Sequence, residues 1–326
     1  MQYSISTENL SRTFKVHTKK GGIKGSIQSI FSREYKEVKA VENVNLHIHE
    51  GELVGFIGPN GAGKTTTLKM LSGLLHPTSG TAQVLGYTPW KRDMKYLQQI
   101  SLIMGQKAQL WWDLSLEDSL LLQKDIYAVN DAEFKQSHNE LVELLGLAPI
   151  LGTQVRKLSL GQRMRGELAA ALIYNPKVLF LDEPTIGLDV IVQKQIREFI
   201  LRYNKSRNAT ILLTSHYLDD VRELCDRLII IDHGSIQYDG DTEQLIREHV
   251  KEKRIILTFT KDVQEKDLAS FGIIHMNTPS QASIEVPREQ TAAVASALLK
   301  KFPVEDISIE DPTLEDVVQD LFATKE

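Results

Sequence analysis

One stretch of eight residues, Gly58-Pro59-Asn60-Gly61-Ala62-Gly63-Lys64-Thr65, is suited to holding phosphate. Its glycines let backbone N–H groups turn inward around phosphate oxygens, and a helix begun there adds its positive end. Lys64 is spaced to reach β- and γ-phosphates, and the Thr65 hydroxyl, followed by Thr66, to coordinate Mg²⁺. The apolar run Leu53–Ile57 just ahead supplies the strand that such a loop needs before its helix.

A second chemical feature is Val178-Leu179-Phe180-Leu181-Asp182-Glu183, an apolar run that ends in two acids. Carboxylates at the C-terminal end of a parallel strand face the crevice where open α/β sheets bind ligands. Asp182 is placed to hold Mg²⁺, usually through water, and Glu183 to polarise an attacking water as general base.

These residues need a scaffold. The runs 53–57, 178–181, 210–214 and 228–231 are the clear strand candidates, and the last three are apolar on both faces, as a buried parallel sheet requires. Helical patterns alternate with them, so an α/β fold is expected. One helix is expected over 64–73, ending before Pro77, and another over 161–174, ending before Asn175-Pro176. Residues 88–175 read as a helical subdomain inserted into the sheet domain. Past Gly240 a helical stretch (242–252) leads into strands at 255–260 and 283–286 and an amphipathic helix at 288–301. The expected division is therefore a domain at 1–240 and a small accessory α/β domain at 241–326.

Bulk properties exclude several classes. The chain has 326 residues, 42% hydrophobic and 25% charged, with a net charge of −5. That balance does not point to nucleic acid as a partner. No apolar run approaches the roughly 18–20 residues that span a bilayer, and the start of the sequence shows no apolar signal core. The single cysteine, Cys225, excludes an internal disulfide, suits a reducing cytosol, and reads as a packed side chain in a helix over 218–228. A function at a membrane would require docking on other chains that span it.

With both motifs in place, residues 1–240 resemble an ATP-binding cassette (ABC) ATPase, a phosphate-loop NTPase fold. Leu158-Ser159-Leu160-Gly161-Gln162 is similar to the family's signature sequence, with Leu160 where glycine is usual. The resemblance implies that Ser159, Gly161 and Gln162 of one subunit close over the γ-phosphate held by another. It further implies a Mg²⁺ and water ligand at Gln106, an interface loop at Gly187-Leu188-Asp189, a γ-phosphate switch at His216, and an adenine-stacking aromatic at Phe14. Gly58 to Thr66 would hold ATP, with Thr65, Gln106 and Asp182 on the metal.

Because each site needs a loop from one subunit and a signature from the other, a symmetric homodimer is expected. The Glu310-Asp311-Pro312-Thr313-Leu314-Glu315-Asp316-Val317 segment resembles exporter-type cassettes with separate permeases, the sodium-, drug- or viologen-exporter-like branch. The implied function is ATP hydrolysis driving export at the cytoplasmic face of the membrane. An import-type cassette and a soluble ABC ATPase are the alternatives.

Three features stay open or are discounted. Residues 15–39 carry seven Lys/Arg against two Glu, with Ile23, Ile27, Ile30 and Phe31 at helical spacing. They fit a solvated insertion or a contact with a partner or anionic headgroups. Trp111 and Trp112 fit a core anchor or the groove that receives a transmembrane coupling helix. His47 and His49 share a strand face without further ligands and read as solvent-facing.

Overall fold

The computed structural model describes residues 3–17, 35–105, 109–215, 217–249, 252–311, 314 and 317–318. The expected basic helix near Ile23–Phe31 lies outside them, as do Gln106 and His216. The chain divides into two compact units, residues 1–239 and 240–326.

The first unit holds two sheets. An antiparallel one is built on β1 (Tyr3–His17), which pairs with β2 (Tyr35–Val44), β3 (His47–His49) and β5 (Ser79–Val84). The other has six strands in the order β10-β9-β4-β8-β7-β6. These are β4 (Leu53–Ile57), β6 (Ile100–Met104), β7 (Val178–Asp182), β8 (Thr210–Thr214), β9 (Arg227–Asp232) and β10 (Ser235–Asp241). Strands β4, β6, β7, β8 and β9 pair in parallel. Strands β7 and β8 are buried at every position, as strands covered on both faces must be.

The helices follow local signals. Helix α1 (Lys64–Leu71) starts at Gly63, and α2 (Met94–Leu97) is capped by Asp93. Ser115 caps α3 (Leu116–Ile126) and Asn130 caps α4 (Asp131–Leu144), each accepting from a backbone N–H in the first turn. Helix α5 (Leu160–Leu172) begins with a reciprocal capping box of Ser159 and Gln162. Asp189 caps α6 (Val190–Arg207), and α7 (Leu218–Leu224) follows β8.

Two expectations change. Strand β6 lies inside 88–175 yet pairs with β7, so that segment contributes an edge to the parallel sheet as well as helices. Cys225 is not helical: α7 stops at Leu224, and Cys225 is extended because the chain must straighten into β9. Its side chain is packed as expected, with 3% exposed.

The second unit opens with α8 (Thr242–His249) and continues β11 (Glu252–Phe259), α9 (Glu265–Leu268), β12 (Ile273–Thr278), β13 (Gln281–Pro287), α10 (Thr291–Lys301) and β14 (Val304–Glu310). The strand order β12-β13-β11-β14, all antiparallel, is that of a split βαβ pair. Ile255, Leu257, Ile284, Val286 and Leu298 form a core of its own.

Candidate functional site

The phosphate loop joins β4 to α1. Gly63 sits at φ +110, where a side chain is strained, and a Cβ there would lie 2.4 Å from the Ala40 carbonyl oxygen. A Cβ on Gly58 would lie 2.0 Å from the Ile231 carbonyl oxygen, so the loop folds against β9 only with glycine there. Ala62 is buried and its carbonyl accepts from the Gly234 N–H at 3.0 Å. Pro59, Asn60 and Gly61 form the exposed rim.

Lys64 is 6% exposed, and its Nζ donates to the carbonyls of Gly58 at 2.6 Å and Pro59 at 3.1 Å. Burial pulls its pKa below the ordinary lysine value, while Glu183 and Asp182 pull the other way. The ammonium thus bridges the loop's own carbonyls and sits within the field of both acids.

Asp182 ends β7, in register with Thr214 on β8. Thr65 Oγ1 donates to its Oδ2 and Thr214 Oγ1 to its Oδ1, each at 2.8 Å. A hydroxyl and a carboxylate in contact, both hard oxygen donors, suit Mg²⁺ that is completed by water and substrate phosphates. Among the described residues no group of three or more His, Cys, Asp or Glu could hold a metal unaided. Thr66, the next residue of α1, is half-buried. Glu183 follows at φ +57, with its N–H donating to the Thr214 carbonyl and hydroxyl, both at 3.1 Å.

A second cluster gathers Ser159, Leu160 and Gly161 against residues 187–192. The Gln162 N–H donates to Ser159 Oγ at 3.3 Å, and the Ser159 N–H donates to Gln162 Oε1 at 2.9 Å. A Cβ on Gly161 would meet both methyl groups of Val192 at 3.2 Å, and one on Gly187 would meet Leu160 Cδ2 at 3.4 Å. Asp189 Oδ1 accepts from the Val192 N–H at 3.0 Å. Leu160, Val190 and Ile191 are 40%, 74% and 72% exposed.

The structure therefore brings Lys64, Thr65, Asp182 and Glu183 together, and separately Ser159–Gln162 with Gly187–Asp189. Phe14 is half-buried on β1, with the Arg12 guanidinium 4.7 Å above its ring.

Sequence reasoning passed over four contributors. Thr214 was legible only as the end of a strand; its role needs the β7–β8 register. Gly105 donates its N–H to the Asp182 carbonyl at 2.8 Å, and a Cβ there would lie 2.1 Å from the Glu183 carbonyl oxygen. Asp220 accepts from Thr185 and Ser215, and Glu167 accepts from the backbone of Gln109 and Leu110. A lone acid in a helix carries no signal of such partners.

Comparison with known proteins shows the family to which the chain belongs. Residues 41–186 match the ABC transporter family, and residues 251–310 match the EvrA-like ABC transporter C-terminal domain. The ABC transporter ATP-binding protein NatA of Bacillus subtilis is 36% identical over 215 residues, which cover 66% of this chain and 87% of that one. The daunorubicin/doxorubicin resistance ATP-binding protein DrrA of Streptomyces peucetius is 32% identical over 291 residues, covering 87% and 88%. Among solved structures, a dimeric ATP-binding cassette in a post-hydrolysis state with ADP and Pi superposes with a TM-score of 0.60 at 25% identity, covering 73% of this chain and 98% of that one. With relatives above 30% identity matched over most of their length, the chain belongs to the ABC transporter ATP-binding proteins, a family of ATPases.

Proposed function

We propose that this chain powers export through separate transmembrane permease subunits, in the sodium-, drug- or viologen-exporting branch of the family. The observation that carries the catalytic part is the contact of Thr65 and Asp182 at 2.8 Å, beside a buried Lys64 at the mouth of the loop. Thr65 and Asp182 would hold Mg²⁺, which when bound neutralises charge on phosphate oxygens. Lys64 exchanges its two loop carbonyls for the β- and γ-phosphates. The loop amides and the N-terminus of α1 face the same oxygens. Glu183 takes the proton from the water that attacks the γ-phosphorus, and the γ-phosphoryl–ADP bond breaks in line. Gln106 and His216 are assigned by family resemblance to the water and the γ-phosphate, and Phe14 to adenine.

By family resemblance the signature segment of one copy serves the phosphate loop of another, which calls for completion by a second copy. In a symmetric dimer Ser159, Gly161 and Gln162 of each copy would cover the nucleotide on the other. No helix among the described residues is long and apolar enough to cross a membrane, in keeping with a subunit docked at its cytoplasmic face. Export is supported by the similarity to DrrA, a daunorubicin/doxorubicin resistance ATP-binding protein.

The test is Glu183→Gln. It should keep ATP binding, lose turnover by about 10²- to 10⁴-fold as expected for a general base, and accumulate as an ATP-bound dimer in size-exclusion chromatography. Near-normal hydrolysis removes Glu183 from the base role. Vesicles reconstituted with the permeases then give direction: export requires ATP on the side that loses substrate.

A further inference from the structure

Trp111 and Trp112 are 62% and 56% exposed, yet the backbone on one side of them is fastened to α5 and on the other to the turn at 155–157 that leads into it. Glu167, on α5, is 5% exposed. Its Oε1 accepts from the N–H groups of Gln109 at 2.9 Å and Leu110 at 3.2 Å, and its Oε2 accepts from Gln109 at 3.1 Å. On the other side the Arg156 N–H donates to the Trp112 carbonyl at 3.1 Å, and the Val155 N–H to that of Leu114 at 3.0 Å. Arg156 also pairs with Asp113 at 3.0 Å. Residues 155–157 lead straight into Ser159, and Glu167 lies two turns along the helix that Ser159 begins. One glycine brings the two segments close: a Cβ on Gly166 would lie 2.9 Å from Leu116 Cδ1 and 3.3 Å from Leu110 Cδ1.

A buried carboxylate is costly, and among the described residues this one has no ion pair, only the more distant attraction of Arg163. Two backbone amides compensate it, and they would themselves be costly if left unpaired. An apolar residue could fill the same volume on α5 but could not hold the chain that carries the tryptophans.

We propose that Glu167 is a positioning residue that clamps Trp111–Trp112 to the signature helix, so that the pair moves as one body with the end of the helix at Ser159. The proposal rests on the reading that this end faces nucleotide. A change at Ser159 would then reach the exposed tryptophans through one rigid helix and two hydrogen-bonded flanks, without a loop that could absorb it.

The experiment uses the full chain with Trp90→Phe, which leaves Trp111 and Trp112 as the fluorophores. Without nucleotide, Glu167→Ala should lose hydrogen-exchange protection at the amides of Gln109 and Leu110 while β4 keeps its own. Unchanged protection there overturns the clamp. With ATP, the parent should show a shift in tryptophan emission that Glu167→Ala loses, although a fluorescent ATP analogue still binds with similar affinity. A merely structural role would lower the melting temperature and leave that shift in place, which overturns the transmission. A parent that binds ATP without any shift overturns it too. A parent that binds no ATP sinks the nucleotide reading instead, and the exchange measurement still decides the clamp. Should Glu167→Ala fail to fold, Glu167→Gln keeps the volume and one acceptor; partial loss of protection and of shift supports the proposal, and full retention of both overturns it.

Discussion

Arg197 and Asp220 form an ion pair that the fold almost completely hides: Nη1 lies 2.5 Å from Oδ1, with 13% and 2% of the two side chains exposed. Asp220 sits on α7 and Arg197 on α6. Through its other oxygen Asp220 accepts from Thr185, two residues past Glu183, and from Ser215, which in turn accepts from the Tyr217 N–H. One carboxylate thereby ties the chain leaving β7 to the chain leaving β8.

Arg197→Met leaves that carboxylate buried without its cation, held only by the Thr185 and Ser215 hydroxyls. A loss of about 3–5 kcal/mol in unfolding free energy is expected, measured by urea titration with an unchanged slope. Breaking the equally short but exposed Lys39–Glu42 pair should leave the midpoint where it is. Similar midpoints for the two variants would contradict the role of burial.

Two glycines of the phosphate loop should respond differently to the same change. Gly63→Ala meets a backbone oxygen that cannot move aside and is strained at φ +110. It should cost at least about 2 kcal/mol and abolish ATP binding. Gly61→Ala, at φ +82 with nothing within 4 Å, should cost only the left-handed conformation, about 1–2 kcal/mol. Calorimetry of both settles whether space or conformation limits the loop.

Burial raises the Glu167 carboxyl above the ordinary glutamate value, and the hydrogen bonds from Gln109 and Leu110 only partly offset this. Between the ordinary and the raised value the folded chain holds the proton more often than the unfolded chain. Stability from this group therefore falls as pH rises through that window. Glu167→Gln removes the dependence, so the difference in melting temperature, variant minus parent, should grow as pH increases across it. A difference independent of pH would place the carboxylate in a solvated setting.

Leu160 adds a side chain where the family usually has none; it packs toward Gly187 and, like Val190 and Ile191, is exposed. Leu160→Gly should lower the unfolding free energy of the monomer by no more than the roughly 1 kcal/mol that glycine costs a helix. In the proposed dimer it should weaken ATP-dependent association of Glu183→Gln, measured by sedimentation, because apolar area at the interface is lost. Tighter association would mean that Leu160 holds the copies apart.

Much of the central sheet was legible because Val178–Leu181 of β7 and Ile211–Leu213 of β8 are unbroken apolar runs, as a strand covered on both faces requires. The loop and Asp182 were legible because their chemistry is carried by contiguous residues. Thr214, Gly105, Asp220 and Glu167 were not, since each acts through a partner at least 30 residues away, or on another strand, and one sequence does not display register. The extended state of Cys225 was missed for a related reason: periodicity runs on through a helix end when the following strand is also apolar.

The position of β4 bears on how the chain is made. The strand that carries the phosphate loop lies between β8 and β9, pairing Leu53 with Ile211 and Val54 with Arg227. Both neighbours leave the ribosome more than 150 residues after it, a wait of about 8–30 s at ordinary synthesis rates of about 5–20 residues per second. During that time an apolar strand has both hydrogen-bonding edges open, which makes the nascent chain prone to aggregation and a client for chaperones. The arrangement that seats the nucleotide at the centre of the finished sheet also leaves that centre open until β8 and β9 have been made.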